Sequence, residues 1–180
     1  MNEAVILKKK ICLLGMFGVG KTSLVRRFVD NIFDDSYLST IGVKVSQKIL
    51  PPVSVSDGRM VQFHFVIWDI EGFGKAGPAL KNYYTGASGA LIVSDLTRPE
   101  TIEKIPEIAG FFREINPDAR ILLAGNKNDL TGEKSKSFEL MDSIAASGKH
   151  KFYLTSAKTG ENVENIFWQL QELLVNVKYE

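Results

Sequence analysis

Cysteine is nearly absent from this sequence, since Cys12 is the only one among 180 residues. A disulfide within the chain is therefore excluded, and a reducing compartment is expected. Long apolar runs are missing too, because no stretch approaches the roughly 20 residues that a transmembrane helix requires. The N-terminus lacks a signal-peptide core, and residues 176–180 contain no cysteine that could be prenylated. We therefore expect a cytoplasmic protein with no membrane anchor of its own in this chain.

An excess of one charge is also lacking. The 22 Lys and Arg residues nearly balance 21 Asp and Glu residues, for a formal net charge of +1. This balance argues against a nucleic-acid-binding protein that relies on a strong basic field. The run Lys8-Lys9-Lys10 is interpreted as a solvated strand entry rather than a binding patch. Length and a hydrophobic content of 44% favour one globular domain over residues 1–180, and we expect a monomer.

The most informative stretch is residues 15–22, with the sequence GMFGVGKT. It follows an apolar run that suits a buried strand and precedes a segment with helical spacing of apolar residues. A glycine-rich loop in this context directs several backbone N–H groups into one concavity, next to the positive end of the helix dipole. Lys21 would add a positive charge for terminal phosphates, and Thr22 a hydroxyl for Mg²⁺. The alternative is a glycine-rich turn with a surface lysine.

Strands alternate with helices along the rest of the chain, which predicts a mostly parallel sheet covered on both faces. An early hairpin adds one antiparallel edge strand. In such sheets, ligands bind beyond the carboxyl ends of the strands, which is where each motif lies. The predicted hairpin strands are 44–50 and 59–68, the later strands 90–93, 120–124 and 152–154, and the helices after the loop 22–30, 79–86, 99–115, 135–146 and 162–177.

Three further motifs follow predicted strands. In residues 68–72, Asp69 is of the kind that supports Mg²⁺ through water, and Gly72 could bring its N–H to a terminal phosphate. In residues 126–129, NKND, the carboxylate of Asp129 could accept both N1–H and the exocyclic amine of guanine, a donor pair that adenine lacks. Residues 156–158, SAK, would close the base pocket. Taken alone, residues 126–129 could equally be a polar loop.

Together and in this order, the motifs resemble those of the small GTPases of the Ras superfamily. Residues 17–24 and 40–43 look most like the Rab and Rho branches, and Tyr83-Tyr84 and residues 95–97 are also Rab-like. The resemblance covers nearly the whole chain. It implies a P-loop NTPase G domain of the α/β class, with a mostly parallel six-stranded sheet, one antiparallel edge strand and helices on both faces.

The resemblance also assigns roles by position. Phe33 would lie edge-on or stacked against the guanine, and the β- and γ-phosphates would be held by Gly18, Val19, Gly20, Lys21 and Thr22. Mg²⁺ would be held by Thr22 and Thr40 and supported through water by Asp69. Catalysis would involve Lys21, Thr40 and Gly72, with Glu71 as a further candidate. Residues 31–40 would form the first switch and residues 69–84 the second, each ordered by the γ-phosphate and released without it. The expected nucleotide contacts are Gly15, Gly18, Val19, Gly20, Lys21, Thr22, Ser23, Phe33, Tyr37, Thr40, Gly72, Asn126, Lys127, Asp129, Ser156, Ala157 and Lys158.

The sequence departs from the family pattern at several positions. Phe17 stands where the Ras branch has a glycine, Glu71 replaces a small alanine, and Phe73 replaces the glutamine that orients the attacking water. Residues 45–62 are longer than a usual Ras hairpin, which indicates a long hairpin tip or, alternatively, a partner surface.

The favoured hypothesis is a switch that binds GTP and GDP with Mg²⁺, hydrolyses GTP slowly and contacts an effector, an exchange factor and an activating protein. A GTP-locked pseudo-GTPase scaffold is the first alternative. A P-loop ATPase or kinase is the second, and it is disfavoured by residues 126–129.

Overall fold

The structure is a computed structural model that describes residues 4–34, 42–55, 57–70, 79–131 and 135–175, with the side chains of residues 79 and 80 excepted. The chain forms β1 (Val5–Leu14), α1 (Lys21–Asp30), β2 (Val43–Ile49), β3 (Val53–Ser54), β4 (Met60–Ile70), α2 (Ala79–Tyr84), β5 (Gly89–Asp95), α3 (Pro99–Glu103), α4 (Ile105–Ile115), β6 (Arg120–Asn126), α5 (Lys136–Gly148), β7 (Lys151–Leu154) and α6 (Val163–Val175), and a short 3₁₀ turn covers Asn128–Leu130.

One mixed sheet organises these elements. Its main path runs β2-β4-β1-β5-β6-β7, and the two-residue strand β3 pairs with β4 beside that path. The pairs β1–β4, β1–β5, β5–β6 and β6–β7 are parallel, whereas β2 lies antiparallel to β4 at one edge. The predicted α/β fold is thereby confirmed, with β3 as an addition to the six predicted strands. β3 is also antiparallel to β4 and falls in the long hairpin of residues 45–62.

Two hydrophobic clusters cover the two faces of the sheet, as the alternation of side chains along a strand requires. In β1, Ile11 and Leu13 belong to the cluster that includes residues of α1 and α6. Cys12 and Leu14 belong to the other cluster, with residues of α3, α4 and α5. All residues of β5 are buried, as expected for a central parallel strand. The sheet is therefore covered on both faces and carries the loops at its carboxyl edge.

The predicted helix over 99–115 is divided into α3 and α4 at Lys104. Pro106 lies at the start of α4 and has no N–H to donate to the carbonyl of Ile102, so a continuous helix would lose a bond and crowd the ring. Pro106 therefore accounts for the break, whereas Gly110 lies inside α4 without interrupting it.

Lys10, in the basic run, lies within β1. Its Nζ lies 3.9 Å from the centre of the Trp68 ring.

Candidate functional site

The loop between β1 and α1 is packed so closely that it requires glycine at two positions. Gly15 has φ +141°, and a Cβ atom there would lie 2.2 Å from the carbonyl oxygen of Val93 in β5. Gly20 has φ +99°, and its Cβ would lie 2.3 Å from Nδ2 of Asn126 in β6. Both backbone angles are in the region that side chains disfavour. Glycine at these two positions therefore allows the loop to lie against the carboxyl ends of β5 and β6.

Lys21 is the first residue of α1, and its side chain turns back over the loop. Only 7% of the residue is exposed. Its Nζ donates to the carbonyl oxygens of Gly15, at 3.0 Å, and Met16, at 2.9 Å. A buried ammonium needs such partners because desolvation without them is costly. The loop therefore carries a fixed positive charge inside its own curve.

The N-terminus of α1 adds backbone donors at the same place. The preceding residue, Gly20, adopts a left-handed conformation and has no side chain that could cap the helix. The N–H groups of the first helical turn have no partners within a helix, so they and the helix dipole favour an anion. Together with Lys21, this arrangement suits a phosphate chain.

Thr22 and Asp69 form the part of the site that fits a divalent cation. Thr22 Oγ1 donates to Asp69 Oδ2 at 2.5 Å, across from α1 to the end of β4. Asp69 is 1% exposed, and within the described part of the chain its Oδ1 has no hydrogen-bond partner. Burial raises the pKa of Asp69, and the Thr22 hydrogen bond and the charges of Lys21 and Lys44 only partly oppose this. A buried carboxylate oxygen without a donor is what a hydrated cation would satisfy.

The donor set also indicates which cation would fit. Among residues 4–34, 42–55, 57–70, 79–131 and 135–175, no cluster of three or more His, Cys, Asp or Glu side chains could hold an ion. Mg²⁺ is typically bound by one or two protein oxygens together with phosphates and water, rather than by a cage of protein ligands. The oxygens of Thr22 and Asp69 therefore fit Mg²⁺ bound together with a phosphate chain.

Asn126, at the end of β6, joins the phosphate loop to the two loops predicted to surround a base. Its Nδ2 donates to the carbonyl oxygen of Val19 at 2.9 Å. Its Oδ1 accepts from the backbone N–H of Ala157 at 3.2 Å and from Oγ1 of Thr155 at 3.3 Å. The residue is 2% exposed. Because the amide donates to the phosphate loop and accepts from the segment after β7, Asn126 fixes both relative to the loop that follows β6.

Asp129 is held by the loop after β7. Ser156 Oγ donates to Asp129 Oδ1 at 2.5 Å and accepts from the backbone N–H of Thr159 at 3.1 Å. Since one carboxylate oxygen is fixed in this way, the rotation of the carboxylate is restricted. An exposed acceptor with a fixed orientation is suited to reading a pattern of donors on a ligand.

Lys127 pairs with a carboxylate that the sequence motifs did not assign to the site. It has φ +64°, and its Nζ lies 2.7 Å from Oδ2 of Asp95, at the end of β5. Asp95 also accepts from Nε of Arg98 and from the backbone N–H and hydroxyl of Thr97. Burial acts to raise the pKa of Asp95, but the hydrogen bonds from Lys127, Thr97 and Arg98 outweigh it and hold the pKa below its usual range.

Arg27 is a second residue that the motifs did not indicate. From the last turn of α1, its Nε donates to the carbonyl of Ala157 at 2.9 Å and its Nη2 to that of Lys158 at 2.7 Å. Its guanidinium carbon lies 5.9 Å from the centre of the Phe33 ring. Arg27 thus connects the loop of residues 156–158 with the aromatic residue predicted to face the base. Only its place in a helix that borders the motif could have suggested this.

The structure brings the predicted site residues that it describes to one edge of the sheet. This group comprises residues on the phosphate loop and α1, Asp69 at the end of β4, and the residues after β6 and β7. Tyr37, Thr40, Glu71, Gly72 and Phe73 lie outside the described residues, so their predicted roles stay predictions. The group that is brought together is Gly15, Gly18, Val19, Gly20, Lys21, Thr22, Ser23, Phe33, Asp69, Asn126, Lys127, Asp129, Ser156, Ala157 and Lys158.

A glycine-rich loop between a strand and the N-terminus of a helix, on a mostly parallel sheet, defines a P-loop nucleotide-binding protein. Comparison with known proteins agrees, since the model of the Ras family matches residues 10–176. Human Ras-related protein Rab-4B is 33% identical over 168 residues, which cover 93% of this chain and 76% of Rab-4B. Zebrafish (Danio rerio) Rab-4A is 33% identical over 98% of this chain and 80% of its own length. RABD2b of Arabidopsis thaliana is 35% identical over 88% and 76%.

The chain therefore belongs to the Ras family, and its relatives make it a Rab-like small GTPase. Members of this family are nucleotide-binding switches that hydrolyse GTP to GDP, generally with Mg²⁺, and that work with effectors, exchange factors and activating proteins. In the ranges that the structure describes, no helix is both long enough and apolar enough to cross a bilayer.

Proposed function

We propose that this small GTPase binds GTP and GDP with Mg²⁺ in one domain spanning residues 1–180. In the proposal it signals through a first switch at residues 31–40 and a second at residues 69–84. The observation that carries the proposal is the position of Asn126, which contacts the phosphate loop through Val19 and the base-side loop through Ala157. A nucleotide would bind along this junction, with its phosphates over Lys21 and its base beside Asp129.

Bound nucleotide, extracted from the purified protein and identified by chromatography, tests the proposal. We expect guanine nucleotide, in equimolar amount with the protein. GDP would indicate turnover during purification, and GTP would support the alternative of a locked scaffold. Recovery of ATP or ADP instead would contradict the assignment of Asp129 and its neighbours to guanine.

We also propose that the hydrolysis step is slow. Hydrolysis in this family needs a water molecule in line with the γ-phosphate and stabilisation of the charge that develops on its oxygens. Phe73 can neither accept a hydrogen bond from that water nor donate one to the phosphate. Phe17 adds bulk beside the expected position of the γ-phosphate, where the arginine of an activating protein would approach. The same substitutions favour the alternative, a GTP-locked scaffold without turnover.

We expect intrinsic hydrolysis no faster than about 10⁻⁴ per second, the order of an unassisted Ras-type enzyme. Phe73→Gln should raise the rate, because it restores a side chain that can orient water. Glu71→Ala should not abolish the activity, because a carboxylate near this position is not automatically placed to orient the attacking water in line with the γ-phosphate. Single-turnover measurements with radiolabelled GTP would check these rates. Fast hydrolysis by the parent protein that is lost in Glu71→Ala would show instead that Glu71 is the catalytic group.

The role of Asp69 in holding Mg²⁺ gives a prediction with two opposite effects. Because burial raises the pKa of Asp69, the ionised carboxylate destabilises the metal-free fold, and this penalty is complete above the raised pKa. The penalty shrinks as the pH falls below the raised pKa and is gone below the ordinary pKa of an aspartate in the unfolded chain. Asp69→Asn should therefore leave the thermal midpoint in EDTA unchanged or higher at neutral pH. The Mg²⁺ concentration needed to retain GDP should rise about 10–100-fold. The measurements are thermal unfolding and a Mg²⁺ titration of GDP release.

Asp118→Asn is the matched control for this experiment, since Asp118 is exposed and lies just before β6, at the opposite edge of the sheet. It should change neither quantity. A parental Mg²⁺ requirement in Asp69→Asn would refute the metal-supporting role.

The partners proposed for the switches are an effector, an exchange factor and an activating protein, and the proposed site of action is the cytoplasm.

A further inference from the structure

The carboxylate of Asp95, at the end of β5, pairs with one residue on the base side of the candidate site and with one that reaches the phosphate loop. Asp95 is 1% exposed, and its Oδ2 lies 2.7 Å from Nζ of Lys127 and 3.0 Å from Nε of Arg98. Thr97 holds the other oxygen through its N–H, at 2.9 Å, and its hydroxyl, at 2.6 Å. The carboxylate therefore has a fixed orientation, and Oδ2 is shared between the base-side Lys127 and Arg98.

Arg98 also reaches the phosphate loop. Its Nη2 donates to the carbonyl oxygen of Phe17 at 2.9 Å, a contact between residues that are 81 positions apart. The rigid fork of a guanidinium allows one side chain to bind Asp95 and this carbonyl at the same time. The Arg98 side chain is 37% exposed, so the bridge lies at the edge of the site and not in its core.

The contact with Phe17 has a consequence for the next residue. The peptide bond is planar and trans, so the carbonyl of Phe17 and the N–H of Gly18 lie in one plane and point in opposite directions. Gly18 has φ +74°, in a region where glycine is flexible. A donor that holds the Phe17 carbonyl therefore also fixes the direction of the Gly18 N–H, which is one of the groups expected to contact the β- and γ-phosphates.

We propose that Arg98, anchored on Asp95, is a positioning residue that orients the Phe17–Gly18 peptide for binding of the β-phosphate and thereby slows nucleotide release. The proposal rests on the proposed function, because it assumes a guanine nucleotide in this site. Lys127 also pairs with Asp95, but the contact with the Phe17 carbonyl is made by Arg98. The base side and the phosphate side of the site therefore depend on Asp95 through different residues. Loss of Arg98 disturbs the phosphate side alone, whereas loss of the Asp95 charge disturbs both.

Release of a fluorescent GDP from the full chain, with Mg²⁺ present, tests this. Arg98→Ala should release GDP about tenfold faster than the parent, which corresponds to the loss of about one hydrogen bond to the loop. Arg98→Lys should give an intermediate rate, because an ammonium can pair with Asp95 but cannot reproduce the fork. Lys104→Ala is the matched control, since Lys104 pairs with the exposed Glu107 beyond α3 and should release GDP at the parental rate.

Affinity for GMP separates positioning from a general loss of structure, since GMP has no β-phosphate. Arg98→Ala should weaken GDP binding while GMP affinity stays at the parental value, and Asp95→Asn should weaken both. A parental GDP release rate in Arg98→Ala, or an equal loss for GDP and GMP, would overturn the proposal. If the parent itself binds no guanine nucleotide, the proposed function fails and this proposal fails with it. Binding of GDP by the parent therefore distinguishes the two failures.

Discussion

Replacing Asp129 by asparagine is expected to change the preferred base from guanine to xanthine. The carboxylate offers two acceptors to the N1–H and exocyclic amine of guanine. Asparagine keeps one acceptor and replaces the other with a donor. Xanthine has a carbonyl where guanine has the amine, so the new donor would find an acceptor there. In the structure, Ser156 fixes the orientation of this carboxylate, at 2.5 Å from Oγ to Oδ1.

The expected loss of GTP affinity in Asp129→Asn is about 2–4 kcal/mol, since a charge-assisted contact to the base is removed. This corresponds to a dissociation constant that rises by about 30-fold to about 1,000-fold. Competition of GTP and XTP against a fluorescent guanine nucleotide would measure both sides of the change. Ser156→Ala should give a smaller loss in the same direction, because the carboxylate would keep its acceptors and lose only its orientation.

Asp118→Asn changes the same charge at the opposite edge of the sheet and should leave both affinities at the parental value. If Asp129→Asn binds GTP as tightly as the parent does, Asp129 does not read the base. If it loses GTP affinity without any gain for XTP, the carboxylate contributes only through its charge. Either outcome would require a different residue to determine the choice of base.

The sequence predicted the fold and the grouping of the described site residues because both depend on local patterns. A glycine loop between a strand and a helix has a nearly obligatory geometry, and polar residues that follow parallel strands meet at one edge. The requirement for Gly15 and Gly20 has a different origin. It comes from the closeness of Val93 and Asn126, which are distant in the chain, so the motif indicated the residues while the structure supplies the reason.

Arg98, Arg27 and Asp95 could not be assigned to the site from the sequence because their roles depend on long-range contacts. Arg98 meets Phe17 across 81 positions, and Arg27 meets Ala157 across 130. An arginine near a helix end is most often a solvated surface residue, so spacing alone gives no signal. Asp95 stands at the end of a buried strand, as Asp69 does, and this position at the carboxyl edge was the one available indication.

The long segment of residues 45–62 shows a further limit of sequence patterns. Its length predicted a long hairpin tip, and the structure adds the short strand β3 beside β4. Leu50 is buried, and Gln62 Nε2 donates to its carbonyl at 3.2 Å. Gln171 of α6 donates to the carbonyl of Pro51 at 3.4 Å, which connects the segment to the body of the protein. The contact from Gln171 depends on the tertiary packing of α6, so the hairpin sequence alone could not indicate it.

The largest loss of affinity is expected from Lys21→Ala. The ammonium lies over the loop and contacts the carbonyls of Gly15 and Met16, so its charge is already in place before a ligand arrives. A preorganised charge of this kind loses little conformational entropy on binding. Contacts from the ammonium to the terminal phosphates are charge-assisted, at about 1.5–3 kcal/mol each. We therefore expect GDP and GTP affinity to fall by about 10²–10⁴-fold.

Alanine also removes a buried aliphatic stem, which could destabilise the loop without any role in binding. Lys21→Met keeps most of the stem volume and removes only the charge, so it should lose nucleotide affinity to a similar extent while unfolding closer to the parental temperature. Calorimetric titration with GDP, GTP and GMP would show whether the loss depends on the terminal phosphates. GMP should be affected much less, because the resemblance places Lys21 beside the β- and γ-phosphates. Unchanged GDP affinity in Lys21→Met would mean that the loop of residues 15–22 is not a phosphate site.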